Sequence, residues 1–185
     1  QTNGIEIYVT AWEKLIGQTE AWLFDTENPS AADLDLGTPN RLYGGPGVNG
    51  DEPSGWNVTN NRSSGKAVVV QDLNSGIPDD SFLSDSLIFT FSDPVFLESI
   101  VNLDFELEMA ATGAGAFMYD VDGNLLGFEA FSGGEDNNHE EVSLGVFGVK
   151  VLKIYYGSTP VTSGAVARLC FAPLNNTPDV EWTDN

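Results

Sequence analysis

From residue 66 onward the chain is a succession of short apolar runs, rich in β-branched and aromatic residues and cut apart by Gly, Pro, Asp and Ser. The runs fall at 67–70, 87–91, 95–105, 116–120, 125–131, 142–149, 151–156 and 165–171. Residues of this kind favour strands, and almost no helical periodicity accompanies them. Strands at such spacing predict an all-β fold, an antiparallel β-sandwich. A jelly roll is the first expectation and an immunoglobulin-like topology the second, because periodicity carries no strand order. Val121-Asp-Gly-Asn separates two of the runs and has the Asp-Gly chemistry of a hairpin turn.

The N-terminal part reads differently. Residues 5–12 alternate with period two, so Ile5, Ile7, Val9 and Ala11 share one face of a strand. Residues 13–20 read as a linker or one helical turn, and 21–26 as a second short strand. The reading divides the chain into an extended arm at 1–20, a β-sandwich domain at 21–174 and an acidic C-terminal tail at 175–185 with a lone Trp182. A detached apolar strand can complete a neighbour's sheet, main-chain bonds giving affinity and alternate side chains specificity. Repeated head to tail, that contact builds an open filament. The leading expectation is therefore a secreted, non-enzymatic structural or adhesive subunit that polymerises with copies of itself, Ile5, Ile7, Val9 and Ala11 forming the assembly strand.

Charge narrows the partners. There are 28 acidic residues against 7 basic ones, a net charge of −21. Phosphate binding needs Lys and Arg to displace counterions, so nucleic acid is excluded as a partner. No apolar run is long enough to span a bilayer, so no membrane insertion is expected. Such a surface suits salty or calcium-containing surroundings and attracts cations. The chain begins Gln1-Thr-Asn-Gly without Met, which fits processing after secretion and an extracellular or cell-surface location. Sequons at Asn57, Asn61 and Asn175 are candidate glycosylation sites. The single cysteine, Cys170, lies between Leu169 and Phe171 and reads as a buried inert thiol.

Residues 33–50 hold five glycines and two prolines, too long a loop for a simple hairpin. In an extended chain Asp33 and Asp35 point to one side, and Leu34 and Leu36 to the other. Asp25, Asp33, Asp35 and Asn40 are the candidate calcium ligands, since calcium takes six to eight oxygens. No cofactor is required on this reading, and calcium is the one candidate. Asp120-Val-Asp-Gly-Asn begins like a calcium loop but lacks the downstream bidentate Glu, so the hairpin reading prevails. Trp56 and Tyr43, with Trp12 nearby, are candidates for a sugar platform, and glycans the second partner class. The runner-up function is a calcium-dependent carbohydrate-binding module.

Catalysis is not expected. The only histidine, His139, sits in an exposed-looking Asp-Asn-Asn-His-Glu-Glu loop, and no Gly-x-Ser-x-Gly elbow occurs. Zinc needs more His or Cys than the chain owns. Glu106, Glu108 and Glu129 fall on predicted strands and leave paired-carboxylate glycoside hydrolysis as a third reading. Solvent-facing strand charges account for them equally well.

Asp33-Leu-Asp-Leu-Gly-Thr-Pro-Asn and Gly44-Gly-Pro-Gly, ahead of an apolar strand at 67–70, resemble motifs of a widespread group of extracellular β-sandwich domains. These occur in secreted and surface-anchored proteins of bacteria and algae. Phe91-Ser-Asp-Pro-Val and the Asp120 to Asn124 hairpin follow the same pattern, so the resemblance covers roughly residues 21–171. It implies an extracellular, jelly-roll-like domain resembling carbohydrate-binding modules, and it carries over no catalytic residues.

Overall fold

The computed structural model describes residues 4–30, 33–48, 59–134 and 136–174. Among these, nine strands join one antiparallel hydrogen-bonded network. They are β1 (Ile7–Glu13), β2 (Gly17–Thr19), β3 (Ala21–Asp25), β4 (Lys66–Val70), β5 (Ser84–Leu103), β6 (Gly115–Tyr119), β7 (Leu125–Ala130), β8 (His139–Tyr155) and β9 (Ala165–Pro173). The order is β3-β4-β9-β5-β8-β6-β7, with β1 paired to β5 and β2 to β1. This is the antiparallel all-β architecture expected from the sequence.

Two long strands hold it together. The first half of β5 pairs with β1 and with the end of β8; its second half pairs with β9 and with the start of β8. Register slips between Thr90 and Val95, where Pro94 offers no amide hydrogen to a ladder. Bulges of this kind bend a strand and sharpen its twist. The sheet folds over itself at this bend, and Phe91 on one side reaches Phe171 of β9 at 5.2 Å between ring centroids. The sequence divides β5 and β8 into two strands each. Gly145 (φ +65°) and Gly148 (φ +80°) bend β8 without ending it.

Alternation places Leu87, Phe89 and Phe91 in the main core with Leu152, Ile154 and Met118, while Ile88 and Thr90 lie on the other face. A smaller core of Phe24, Leu36, Ala67, Val69, Leu103 and Ala165 lies beneath the glycine-rich loop.

The N-terminal arm is corrected by the structure. Ile7 to Trp12 pair residue for residue with Phe91 to Ser86, and β1 turns through Gly17 (φ +82°) into β2. Ile5 and Ala11 are buried in the main core, and Ile7 and Val9 pack against it. The apolar face foreseen in the sequence is real, but it finds its partner at home, so no domain boundary falls near residue 20. The sequence missed this because the pairing partner, β5, lies some eighty residues away. The expected tail at 175–185 lies outside the described residues. Glu106 and Glu108 are not on a strand: Glu106 caps the short helix α1 (Leu107–Ala110), which contains Glu108.

Candidate cation centre

Asp33 opens a 3-10 turn, Leu34–Leu36. In such a turn residues three apart stack, so Asp33 and Leu36 share the inward side. Leu36 is fully buried in the smaller core, Asp33 is 3% exposed, and Leu34 is turned outward. The alternation expected of an extended chain is thereby replaced: Asp33 and Asp35 are brought inward by a turn, with Leu36 alone as anchor. The loop then doubles back through a cis Thr38–Pro39 bond until Gly47 meets Gly37. A Cβ on Gly37 would lie 2.6 Å from the Gly47 Cα, so neither chain tolerates a side chain there.

Around this turn carboxylates gather from three other places in the sequence. Oxygens of Asp33, Asp79 and Asp80 lie within 4.8 Å of one another, as do those of Asp104, Glu106 and Asp136. Asp35 links the two groups, its charge acting on Asp33, Asp79, Asp80, Asp104 and Glu106. Asp33 Oδ2 accepts the Asp80 amide at 3.2 Å, Asp80 Oδ2 accepts the Gly164 amide, and Asp104 Oδ1 accepts the Asn137 amide at 2.6 Å.

Burial and mutual repulsion push these acids up. Asp33 rises to about 10, first through burial, then through the Asp80 charge and a carboxyl–carboxyl contact with Asp35. Burial lifts Asp80 and Glu106 to about 7 each, and lifts Asp104 well above the usual carboxylate range. Two like charges ~5 Å apart repel by about 3 kcal/mol at an effective dielectric of about 20. Close by, several buried oxygens have no hydrogen-bond partner. They are Asp35 Oδ1, Asn138 Oδ1, whose residue also accepts the Asp104 amide through its carbonyl, and Asn60 Oδ1, whose amide holds the Gly37 carbonyl. Unpaired oxygens beside crowded carboxylates are a donor set for a hard cation.

Of the four ligands expected from sequence, two belong to this centre. Asp25 does not: it faces Lys66 across β3 and β4 at 2.5 Å, and the Lys66 ammonium holds its carboxyl below the usual range. Asn40 is a brace. Its Oδ1 accepts the Leu42 amide at 2.9 Å and its Nδ2 donates to Asn137 Oδ1 at 2.7 Å. Asp79, Asp80, Asp104, Glu106 and Asp136 were missed as ligands. One signal was available: Asp104-Phe-Glu-Leu repeats the acid–apolar alternation of Asp33-Leu-Asp-Leu.

The remaining candidates scatter. Tyr43 is exposed at the end of the 3-10 turn Arg41–Tyr43, whereas Trp56, Asn57 and Asn175 lie outside the described residues. Asn61 is exposed, as a sequon requires. Asp120 organises the β6–β7 turn, Oδ1 accepting the amides of Asp122 at 2.9 Å and Asn124 at 2.8 Å, with Gly123 at φ +82°. His139 is the first residue of β8 and half-buried rather than exposed; burial and then the Arg62 charge lower its pKa. Glu108 and Glu129 are exposed, unlike Glu106, so the three do not share one environment. Cys170 is half-buried in β9. No family model, curated protein or solved structure matches the chain.

Proposed function

We propose that this chain is a non-enzymatic, extracellular β-sandwich module of the carbohydrate-binding kind, its loop end held together by calcium. The observation that carries the reading is the convergence of Asp33, Asp35, Asp79, Asp80, Asp104, Glu106 and Asp136, with the Asp35 charge acting on five of the others. Left without a cation, such a group relieves its repulsion by holding protons. A divalent cation relieves it better and inverts the local pKa order. Calcium is the ion of choice because irregular loops supply many carboxylates in a flexible geometry, whereas magnesium demands a near-ideal octahedron and keeps its waters.

The ions would join four chain segments distant in sequence, much as a disulfide would, in a chain with one cysteine. The net charge of −21 and the exposed Asn61 sequon support an extracellular setting. The pairing of β1 within its own sheet removes the observation that motivated strand donation between copies.

Calorimetric titration of the chelator-treated chain with calcium tests this reading. Binding heat should appear, and the melting temperature should rise with calcium, by about 2.7 kcal/mol of stability at a hundredfold excess over Kd. Asp33→Asn and Asp104→Asn should weaken binding at least tenfold, and Asp25→Asn should not. Absence of both heat and thermal shift in millimolar calcium overturns the proposal.

A further inference from the structure

Opposed residues of an antiparallel ladder share a face, so the registers of β7, β6, β8, β5 and β1 define the outer surface of that layer. One row runs Phe128, Phe117, Lys153, Ile88, Thr10. A second runs Gly115, Tyr155, Ser86, Trp12, and a third Tyr119, Val151, Thr90, Tyr8. The intervening residues, such as Leu152, Leu87 and Ala11, are buried beneath. These three rows thus carry six aromatic rings and one charged side chain, Lys153, in a chain with 35 acidic and basic residues (28 and 7). The acids that reach them are Glu6, which accepts the Tyr8 hydroxyl, and Asp85, beside Lys153.

The rings form a shelf. Phe117 lies 4.5 Å from Phe128 and 6.3 Å from Tyr155 between centroids. Gly115 makes room for this: a Cβ there would stand 2.5 Å from the Phe128 ring. Phe117, Tyr119, Lys153 and Tyr155 line a shallow cavity of about 200 Å³. Lys153 Nζ sits 5.4 Å over the Tyr155 ring and 3.9 Å from Asp85, which balances its charge.

We infer that this surface binds a neutral polysaccharide, its sugar rings lying on Phe117, Tyr155 and Tyr119 while Lys153 and the tyrosine hydroxyls bond sugar hydroxyls. The proposal supplies the ligand and the binding surface for the carbohydrate-binding reading, and rests on it. Aromatic side chains with polar tips suit a ligand that is apolar on its ring faces and wet at its edges. Size and charge choose among occupants. Five strands and three rows cover about 20 Å by about 14 Å, on the order of 300 Å². That is less than half of the ~800 Å² per partner of a stable protein interface, and a second copy would bring the same −21 charge. An anionic glycan meets that charge too, and finds the one local cation already paired.

The test uses the full chain in excess calcium, with gel retardation and calorimetry against a soluble β-glucan, a mannan and a galactan, and alginate as the acidic comparison. Binding to at least one neutral polymer is expected, weakened at least tenfold by Phe117→Ala and by Tyr119→Ala and unchanged by Tyr43→Ala. Both shelf variants should keep the calcium-induced thermal shift of the parent chain, and Tyr155→Phe provides a milder variant that removes only a hydroxyl. No neutral binding, binding to alginate alone, binding indifferent to the shelf variants, or a dimer disrupted by them would each overturn the proposal. In the parent chain, absence of glycan binding beside an intact calcium shift sinks the shelf and spares the calcium centre; glycan binding with no calcium shift sinks the centre alone.

Discussion

Asn40 Nδ2 donates to Asn137 Oδ1 at 2.7 Å, joining two buried side chains 97 residues apart. Asn137 then uses its own amide on the Gly37 carbonyl at 2.8 Å and on the Asp35 carbonyl, and its backbone N–H on Asp104. One residue therefore ties the glycine-rich loop to the Asp104 half of the acid cluster.

Replacing it separates two costs. Asn137→Ala loses the side-chain bonds and leaves buried carbonyls unsatisfied, about 2–4 kcal/mol in all. It also puts a Cβ-bearing residue without a polar side chain at φ +58°, worth about 1 kcal/mol more. Asn137→Gly loses the same bonds but not the backbone preference, so it should recover about 1 kcal/mol. Urea midpoints measured with unchanged m-values read both. An alanine variant within about 0.5 kcal/mol of the parent would show that this residue does not lock the loops.

The acid cluster makes stability depend on pH in a direction opposite to the usual one. Asp80 and Glu106 titrate near 7 and Asp33 near 10 in the fold, against about 4 in an unfolded chain. Between those values the native state holds protons that the unfolded state has released. Stability is then greatest near pH 4 and falls as pH rises through 7 and towards 10, by at least about 1 kcal/mol per unit between pH 5 and 7. Melting curves in chelator should show this fall. Excess calcium should flatten it, because the ion replaces the protons and is favoured by their loss. A chelated chain that melts higher at pH 8 than at pH 5 would contradict the raised carboxyls.

The Asp120 hairpin is predicted to be a purely local device. Its carboxylate accepts three bonds across the turn, from the Asp122 and Asn124 amides and from Asn124 Nδ2 at 2.9 Å, and these hold its pKa below the usual range. Asp120→Ala should lower the melting temperature modestly in calcium and in chelator alike, leaving calcium affinity unchanged. A loss of calcium binding would instead make the hairpin a metal loop.

Legibility in the sequence followed the range of the interactions. β6, β7 and their turn could be read because strand, turn and strand are contiguous. So could the shared face of Ile5, Ile7, Val9 and Ala11, a matter of period two. The bends within β5 and β8 could not, because Pro94, Gly145 and Gly148 look like ends whether a strand stops or turns a corner. Asp33 and Asp35 were found because the loop that carries them is conspicuous. Asp79, Asp80 and Asp136 sit among ordinary turn residues and Asp104 within an apolar run, and only the fold brings them near Asp35. The outer aromatic rows were hidden for the same reason, since each strand contributes one or two rings.

The arm gives the sharpest contrast between sequence and fold. As a free ribbon, residues 1–16 could be removed to leave a folded monomer. As β1, they cover the first half of β5, and their loss strips Ile5 and Ala11 from the main core while baring the edge from Ser86 to Phe91. Burial of an isoleucine alone is worth about 1.5–3 kcal/mol, and the bared edge is a template for aggregation. Deletion of residues 1–16 should therefore cost at least about 3 kcal/mol by urea denaturation, and the truncated chain should associate in light scattering. Supplying residues 4–16 as a peptide should restore both stability and monomer mass by refilling the same slot. A truncated chain that stays monomeric and equally stable would mean that the leading strand contributes nothing to its own sheet.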